Sequence, residues 1–404
     1  MSVQRVSEVV KPALLRWARE TAGLTVPSAA KKIGVKPERL VEWEADWPAP
    51  GIGLRPTVGQ LRKAAHVYKR PLALFFLSEP PPQTAPLHDF RRLPANTSSP
   101  LSPELRLEMR RARRRRSVAL ELLTEAARAV PELPLRVGLD DNPEEIAATA
   151  REWLAVSLEE QAEWAGGYEP LNGWLAAFEA RGILVFQTGD VPLDEMRGFS
   201  LNERRLPVIV LNAKDAPRGR LFTLMHEFTH LMLSRGGVCD PLRVGSHART
   251  PDERVEVFCN RMAGAVLVPG PALLDHPLVS LADVPRPWGD PTVQQLADRF
   301  AVSREVILRR LLILGLTTDG FYEQKRDEYL AQYRALEARA RAREGFAPPS
   351  RVTLRDNGRA YTRLVLDAFE QERITPADVT DYLGVRLKHL DDIAGALDRV
   401  GVRG

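Results

Sequence analysis

The stretch FTLMHEFTHLML, residues 222–233, places His226 and His230 four positions apart, with Glu227 directly after the first. On a helix, residues i and i+4 project from one face, so both imidazoles aim at one point. Neutral imidazole is a ligand that zinc favours. Glu227, turned about 100° from His226, stands beside such a metal rather than on it. There it can take a proton from an attacking water and pass it to a leaving amine. The plain alternative is a helix that carries two histidines by accident. The chain has only seven histidines, so chance alignment of His-Glu-x-x-His is on the order of one in a hundred such chains. Phe222, Leu224, Met225, Phe228, Leu231, Met232 and Leu233 mark the helix as mostly buried. Unpaired polar groups cost about 1–3 kcal/mol each in such a place. The stretch therefore reads as a zinc helix.

Three protein ligands and one open position define a catalytic zinc site. A glycine and a third histidine shortly after the second would complete one known pattern, but Leu233 and Gly236 occupy those places. The remaining candidates are Asp240, His247, Asp252, Glu253 and Glu256. Asp252 and Glu253 open a helix, where the dipole alone favours acids. His247 lies in the loop-like run SHART. Glu256 sits in VEVFCNRMAGAVLVP, an otherwise apolar helical run where a lone carboxylate needs a partner, and burial selects it. Asn260, one turn further on, is either an orienter of a ligand or an ordinary packing residue. For an oxyanion stabiliser, Tyr168, Arg218, Arg220, His247 and Tyr322 all qualify.

FTLMHEFTHLML followed by ERVEVFCNRMAGAVLVP resembles the ImmA/IrrE metallopeptidases. The matching residues are Phe222, Thr223, His226, Glu227, His230, Glu256, Asn260, Leu267 and Pro269, with one residue fewer than the family pattern before the proline. The resemblance implies that His226, His230 and Glu256 bind Zn2+ and that Glu227 is the catalytic base. It extends to LLRWARETAG, PTVGQLRKAAHVYKRPLALFFL, HDFRRLP and RRLLILGL…FYEQKRDEY. Together these look like the variant with an N-terminal XRE-type helix-turn-helix. The implied activity is regulatory: cleavage of a protein substrate, a helix-turn-helix transcriptional repressor, in a stress or mobile-element response. The competing expectations are an XRE-type DNA-binding transcriptional regulator with the peptidase domain as sensor, and an antitoxin-like module that acts by binding.

A chain of 404 residues predicts roughly two or three domains. Its 44% apolar and 27% charged content is that of a globular protein. No run of about 18 apolar residues exists, and the first residues lack a signal-peptide layout. Two cysteines, Cys239 and Cys259, are too few for a disulfide scaffold. A cytoplasmic protein with no membrane partner is expected. The fold expected is mainly α, with an α+β peptidase domain. Residues 1–78 read as a helix-turn-helix unit, 79–103 as a proline-rich linker, and 104–165 as helices including an arginine-rich one. Residues 166–275 read as the peptidase domain, 276–345 as a helical extension, and 346–404 as a last helical unit. Three strands, GILVFQT, RGFSL and PVIVLN, are expected as a small sheet beside the zinc helix. AAKKIGVKPERL, LADRFAVSREVIL and VTDYLGVRLKHL form a weak echo, each pairing a helix end with a turn and a second helix. For the last two, the helix–turn–helix packing that recurs in any α-rich protein is the preferred reading.

The helix Lys36–Asp46 is the segment that an XRE-type reading sends into the DNA major groove. Its acids Glu38, Glu42, Glu44 and Asp46 argue against that, because phosphate attraction dominates DNA affinity. Specific DNA binding through this helix is the weaker expectation, and a protein-docking or sensing role is the competing one. The run of Arg110, Arg111, Arg113, Arg114, Arg115 and Arg116 is either a solvated helix paired with Glu104, Glu108 and Glu121, or a contact for nucleic acid or an acidic partner.

Overall fold

The computed structural model describes residues 10–45, 55–81, 88–89, 101–164, 166–235, 237–239, 250–341 and 347–398. Two units result. The first comprises residues 1–86 and 97–111, the second 87–96 and 112–404.

In the first unit, α1 (Pro12–Thr21), α2 (Val26–Ile33), α3 (Pro37–Glu44) and α4 (Val58–Tyr68) surround Leu14, Leu15, Ala29, Ile33, Leu40 and Trp43. Thr25 caps α2 through its side chain, and Gly34 ends it in the left-handed region at φ +81. That conformation is cheap only for glycine. Glu44, expected on the outer acidic face of α3, is instead buried and accepts from Arg19 at 2.7 Å. A buried carboxylate needs such a partner, so α3 shows the solvent less acid than its sequence suggests. Asp46 lies outside the described residues. The long helix α5 (Pro103–Glu125) divides between the units at Arg111.

The second unit is built on a five-stranded sheet of order β1-β5-β3-β4-β2. The expected strands form as β2 (Leu184–Thr188), β3 (Gly198–Leu201) and β4 (Val208–Asn212). Two short strands extend them: β1 (His88–Asp89), from the segment read as a linker, and β5 (Gly237–Cys239). β2 runs parallel to β4, β3 antiparallel to β4 and β5, and β1 parallel to β5. Strands β2, β3 and β4 are buried along their whole length, which explains why they read as continuous apolar runs rather than alternating ones.

Among the helices that follow, α8 (Glu169–Ala180) and α9 (Pro217–Met232) pack on this sheet. α10 (Pro251–Leu267) packs on α9, and α6 (Pro143–Leu154) packs on α10, with α7 (Leu158–Glu163) following α6. The short α11 (Gly270–Leu274) and α12 (Pro277–Ser280) lead into α13 (Asp290–Arg299), α14 (Arg304–Ile313) and α15 (Asp319–Arg341). Among the described residues no helix is long and apolar enough to cross a membrane.

The chain ends in α16 (Pro349–Asn357), α17 (Arg359–Glu370), α18 (Pro376–Leu383) and α19 (Leu390–Asp398). Within this segment α17 to α19 repeat α1 to α3 at one constant offset. Thr25 and Thr375 cap eight-residue helices in the same way, and Gly34 and Gly384 end them in the same left-handed turn. Leu14, Leu15, Ala18, Ala29, Ile33, Leu40 and Trp43 are buried where Leu364, Val365, Ala368, Val379, Leu383, Leu390 and Ile393 are buried. The echo in the sequence is therefore carried by caps, turn and core alike. In LADRFAVSREVIL, the turn between α13 and α14 uses Ala301 at φ +54 instead of a glycine.

Glu179 ties α17 to α8. Its carboxyl accepts from the backbone N–H of Arg359 at 2.9 Å and of Ala360 at 3.1 Å, at the start of α17. Burial pushes this carboxyl up to about 7, although the two backbone bonds pull it down. A folded pKa above the ordinary 4.5 means that the folded state takes up the proton more readily than the unfolded one. Stability from this group is then full below the unfolded value and is lost as pH rises through about 7. The melting temperature is expected to fall between pH 5 and 8, and less steeply in Glu179→Gln. Parallel slopes in the two proteins would remove Glu179 as the cause.

Candidate metal centre

α9 starts at Pro217, where the missing N–H costs nothing, and is buried from Arg220 to Met232. Its faces are divided by the 3.6-residue period. Phe228 stacks on Trp153 of α6 at 6.0 Å and meets Phe178 of α8 edge-on at 4.9 Å. This pins the apolar face and turns His226 and His230 toward α10. The start of α10 is fixed by a capping box, in which Thr250 accepts from the Glu253 N–H at 3.2 Å and donates its own to Glu253 at 3.1 Å. Glu253 is thus engaged at the helix end, and Asp252 stays in that first turn. Asp240 and His247 lie outside the described residues.

From α10, Glu256 reaches both imidazoles. His226 Nε2 lies 3.3 Å from one carboxylate oxygen and His230 Nε2 3.1 Å from the other, while the two Nε2 atoms are 3.1 Å apart. Two ligands held about 2.0–2.1 Å from one tetrahedral ion stand roughly 3.3 Å from each other. The three donors have close to that spacing. Asn260 Oδ1 lies 3.0 Å from His226 Nδ1, and because an amide oxygen only accepts, Nδ1 carries the proton. The lone pair of Nε2 is then directed to the shared point. The donor set therefore fits a zinc ion.

All of these side chains are at most 2% exposed, and burial alone would strip their charge. Burial raises the Glu256 carboxyl, but the adjacent imidazoles outweigh it and hold the group down at about 2. Burial lowers His226, and the Glu256 charge reverses this so that His226 is raised. His230 stays lowered, mainly by burial and with a further push from His226. The cluster keeps a carboxylate and one readily protonated imidazole, which is the charge pattern a divalent cation replaces on binding.

Residues 178–312 match the family model for the IrrE N-terminal-like domain, Peptidase_M78. The matched segment runs from the end of α8 to α14 and contains every residue of the cluster. It supports the ImmA/IrrE family for this part of the chain and places a metallopeptidase-type domain there. No curated protein matches the chain.

Within the matched segment, Glu227 is fully buried and lies against β3. A Cβ built on Gly198 would come 2.6 Å from the Thr223 methyl and 3.2 Å from Glu227 Cγ and Oε1. Gly198 thus leaves room for Glu227 beside His226, His230 and Glu256. Gly198→Ala is expected to lower stability by about 1–3 kcal/mol through overpacking. Peptidase activity should fall while zinc content is kept, as read by denaturation and metal analysis. A variant with unchanged activity would show that Glu227 tolerates displacement.

Sequence reasoning missed Cys259. Its buried thiol belongs to a group with His226 and His230 whose donor atoms all lie within 4.8 Å of one another. Burial pushes the thiol well up, and Glu256 and Glu227 add to that. A neutral thiol is a weaker ligand than the carboxylate already between the imidazoles. The available signal was its position three residues after Glu256, on the same helix face.

The oxyanion candidates separate. Arg218 pairs with Asp298 at 2.8 Å, and Tyr322 donates to Glu305 at 3.3 Å. Arg220 is buried, donates to Gln187 at 2.5 Å and lies under Tyr168, with 5.2 Å to the ring centre. The arginine run has partners within the chain. Arg110 donates to the Thr21 carbonyl at 3.4 Å, and Arg111 pairs with Glu108 at 3.2 Å. Arg113 feels the charge of Glu203, and Arg114 pairs with Asp381. Arg115 lies 5.0 Å over Phe186, and Arg116 donates to the carbonyls of Leu206 and Arg205.

Proposed function

We propose that this protein is an intracellular zinc endopeptidase of regulatory type, which cleaves a protein substrate such as a helix-turn-helix repressor. The observation that carries this reading is the convergence of His226, His230 and Glu256 at zinc-ligand spacing beside Glu227. His226, His230 and Glu256 would hold the ion. When bound, zinc supplies Lewis-acid chemistry, polarising a peptide carbonyl and acidifying water near neutral pH. Glu227 takes the proton of the attacking water and returns it to the leaving amine. Asn260 keeps the His226 tautomer fixed, and the dry, apolar surroundings strengthen each of these charges.

The first unit serves, in this reading, as an XRE-type helix-turn-helix that finds a protein. The outer face of α3 carries Glu38, a half-exposed Val41 and the internal pair Arg39–Glu42, which suits a protein surface better than phosphates. The test compares the proteins of cells carrying the wild type with those carrying Glu227→Gln. One protein cut only in the wild type is expected. If the variant keeps its zinc and the full cellular effect, the peptidase reading is wrong.

A further inference from the structure

The arginine-rich helix holds a feature that the peptidase chemistry does not use. Arg106 and Arg110 stand one turn apart on α5, in the part that belongs to the first unit. They meet Arg70, which follows α4, at the C-terminal end of α1. Arg70 Nη2 donates to Thr21 Oγ1 at 3.0 Å and Arg110 Nη1 to the Thr21 carbonyl at 3.4 Å. Arg106 Nε donates to the Leu101 carbonyl at 3.1 Å, and a Cβ on Gly23 would come 2.9 Å from that nitrogen. Gly23, at φ +74, therefore lets the guanidinium lie against the turn. Arg70 also stacks on Trp17, with 4.5 Å to the ring centre.

Arginines at a helix C-terminus have an ordinary use, since they complement the dipole. That end carries only about half a negative charge, and three guanidiniums overshoot it. None of the three has a carboxylate ion pair among the described residues. The surroundings of Arg110 agree: burial lowers it to about 10, and the neighbouring charges acting on it are Arg70, Arg106 and Arg111, all cations. Burial lowers Arg70 as well. Bringing like charges together in a half-buried place is costly unless an anion joins them. All three side chains remain half-buried, so the cluster keeps an open side.

We propose that Arg70, Arg106 and Arg110 form a site for a small phosphate-type oxyanion, which ties α1 and α4 to the start of α5. A phosphate group offers enough acceptors to engage several guanidinium forks at once. The anion is a free solute rather than a nucleic-acid backbone, since the cluster is one confined point and lacks the row of cations that a backbone requires.

The test is thermal unfolding of the full chain in inorganic phosphate against sodium chloride at equal ionic strength. Phosphate is expected to raise the transition of the first unit by a few degrees beyond chloride. The rise is expected to vanish in Arg110→Gln and Arg70→Gln and to persist in Arg62→Gln, an exposed control. Arg110→Lys, which keeps the charge without the fork, should retain only part of it, and it serves if the glutamine variant does not fold. No rise over chloride, or an equal rise in wild type and cluster variants, overturns the proposal. Binding of a short DNA duplex that depends on these arginines, without a phosphate effect, overturns it too.

Discussion

Glu227→Gln is expected to slow peptide cleavage by about 10²–10⁴-fold, the range of general acid–base catalysis, and to leave zinc content unchanged. The two results belong together. Glu227 lies against β3 rather than between the imidazoles, so an isosteric amide fits the same space and removes only the proton acceptor. The loss should appear in turnover, with little change in KM, because the proton is transferred during the reaction and not on binding. The measurement is cleavage of the identified substrate at saturation, paired with metal analysis of the same preparation. Loss of zinc in the variant would mean that Glu227 is itself a ligand. Full turnover would assign the base elsewhere.

Glu256→Ala is expected to weaken zinc binding by more than about 100-fold. Removing an outer-shell partner of a metal ligand already costs 10–100-fold, and here a ligand itself is lost. The metal-free protein should suffer as well. Glu256 holds His226 raised, and removing one partner from a buried charged cluster costs about 3–5 kcal/mol. Competition with a chelator measures the first effect, and denaturant unfolding of the metal-free chain the second. Undiminished zinc affinity would pass the third-ligand role to Cys259 or to one of the other acids. A metal-free protein as stable as wild type would mean that the carboxylate is not needed to balance the imidazoles.

The zinc helix was legible because its chemistry and its periodicity coincide. An apolar helix of this kind makes polar residues stand out, and His226, Glu227 and His230 have no bland use there. Glu256 was legible for the same reason, thirty residues away, since burial asks every carboxylate for a partner. The three main strands could be read as apolar runs bounded by turns. What stayed hidden depends on contacts that composition does not encode. β1 arises in a proline-rich segment because its backbone pairs with β5, and backbone pairing leaves no side-chain signature. Glu44 counted as an exposed acid because its partner, Arg19, comes from another helix. Cys259 resembled any small core residue until α10 was set against α9.

The match between the two ends of the chain has a consequence of its own. Caps, turn and core coincide, but the outward positions do not. Lys31 faces solvent where Asp381 does, Glu38 where Lys388 does, and Val41 where Asp391 does. One framework thus carries two labels of different character, written separately on a single polypeptide. A substitution in one outward set leaves the other unaltered, so the two surfaces can be changed independently of the core positions they share.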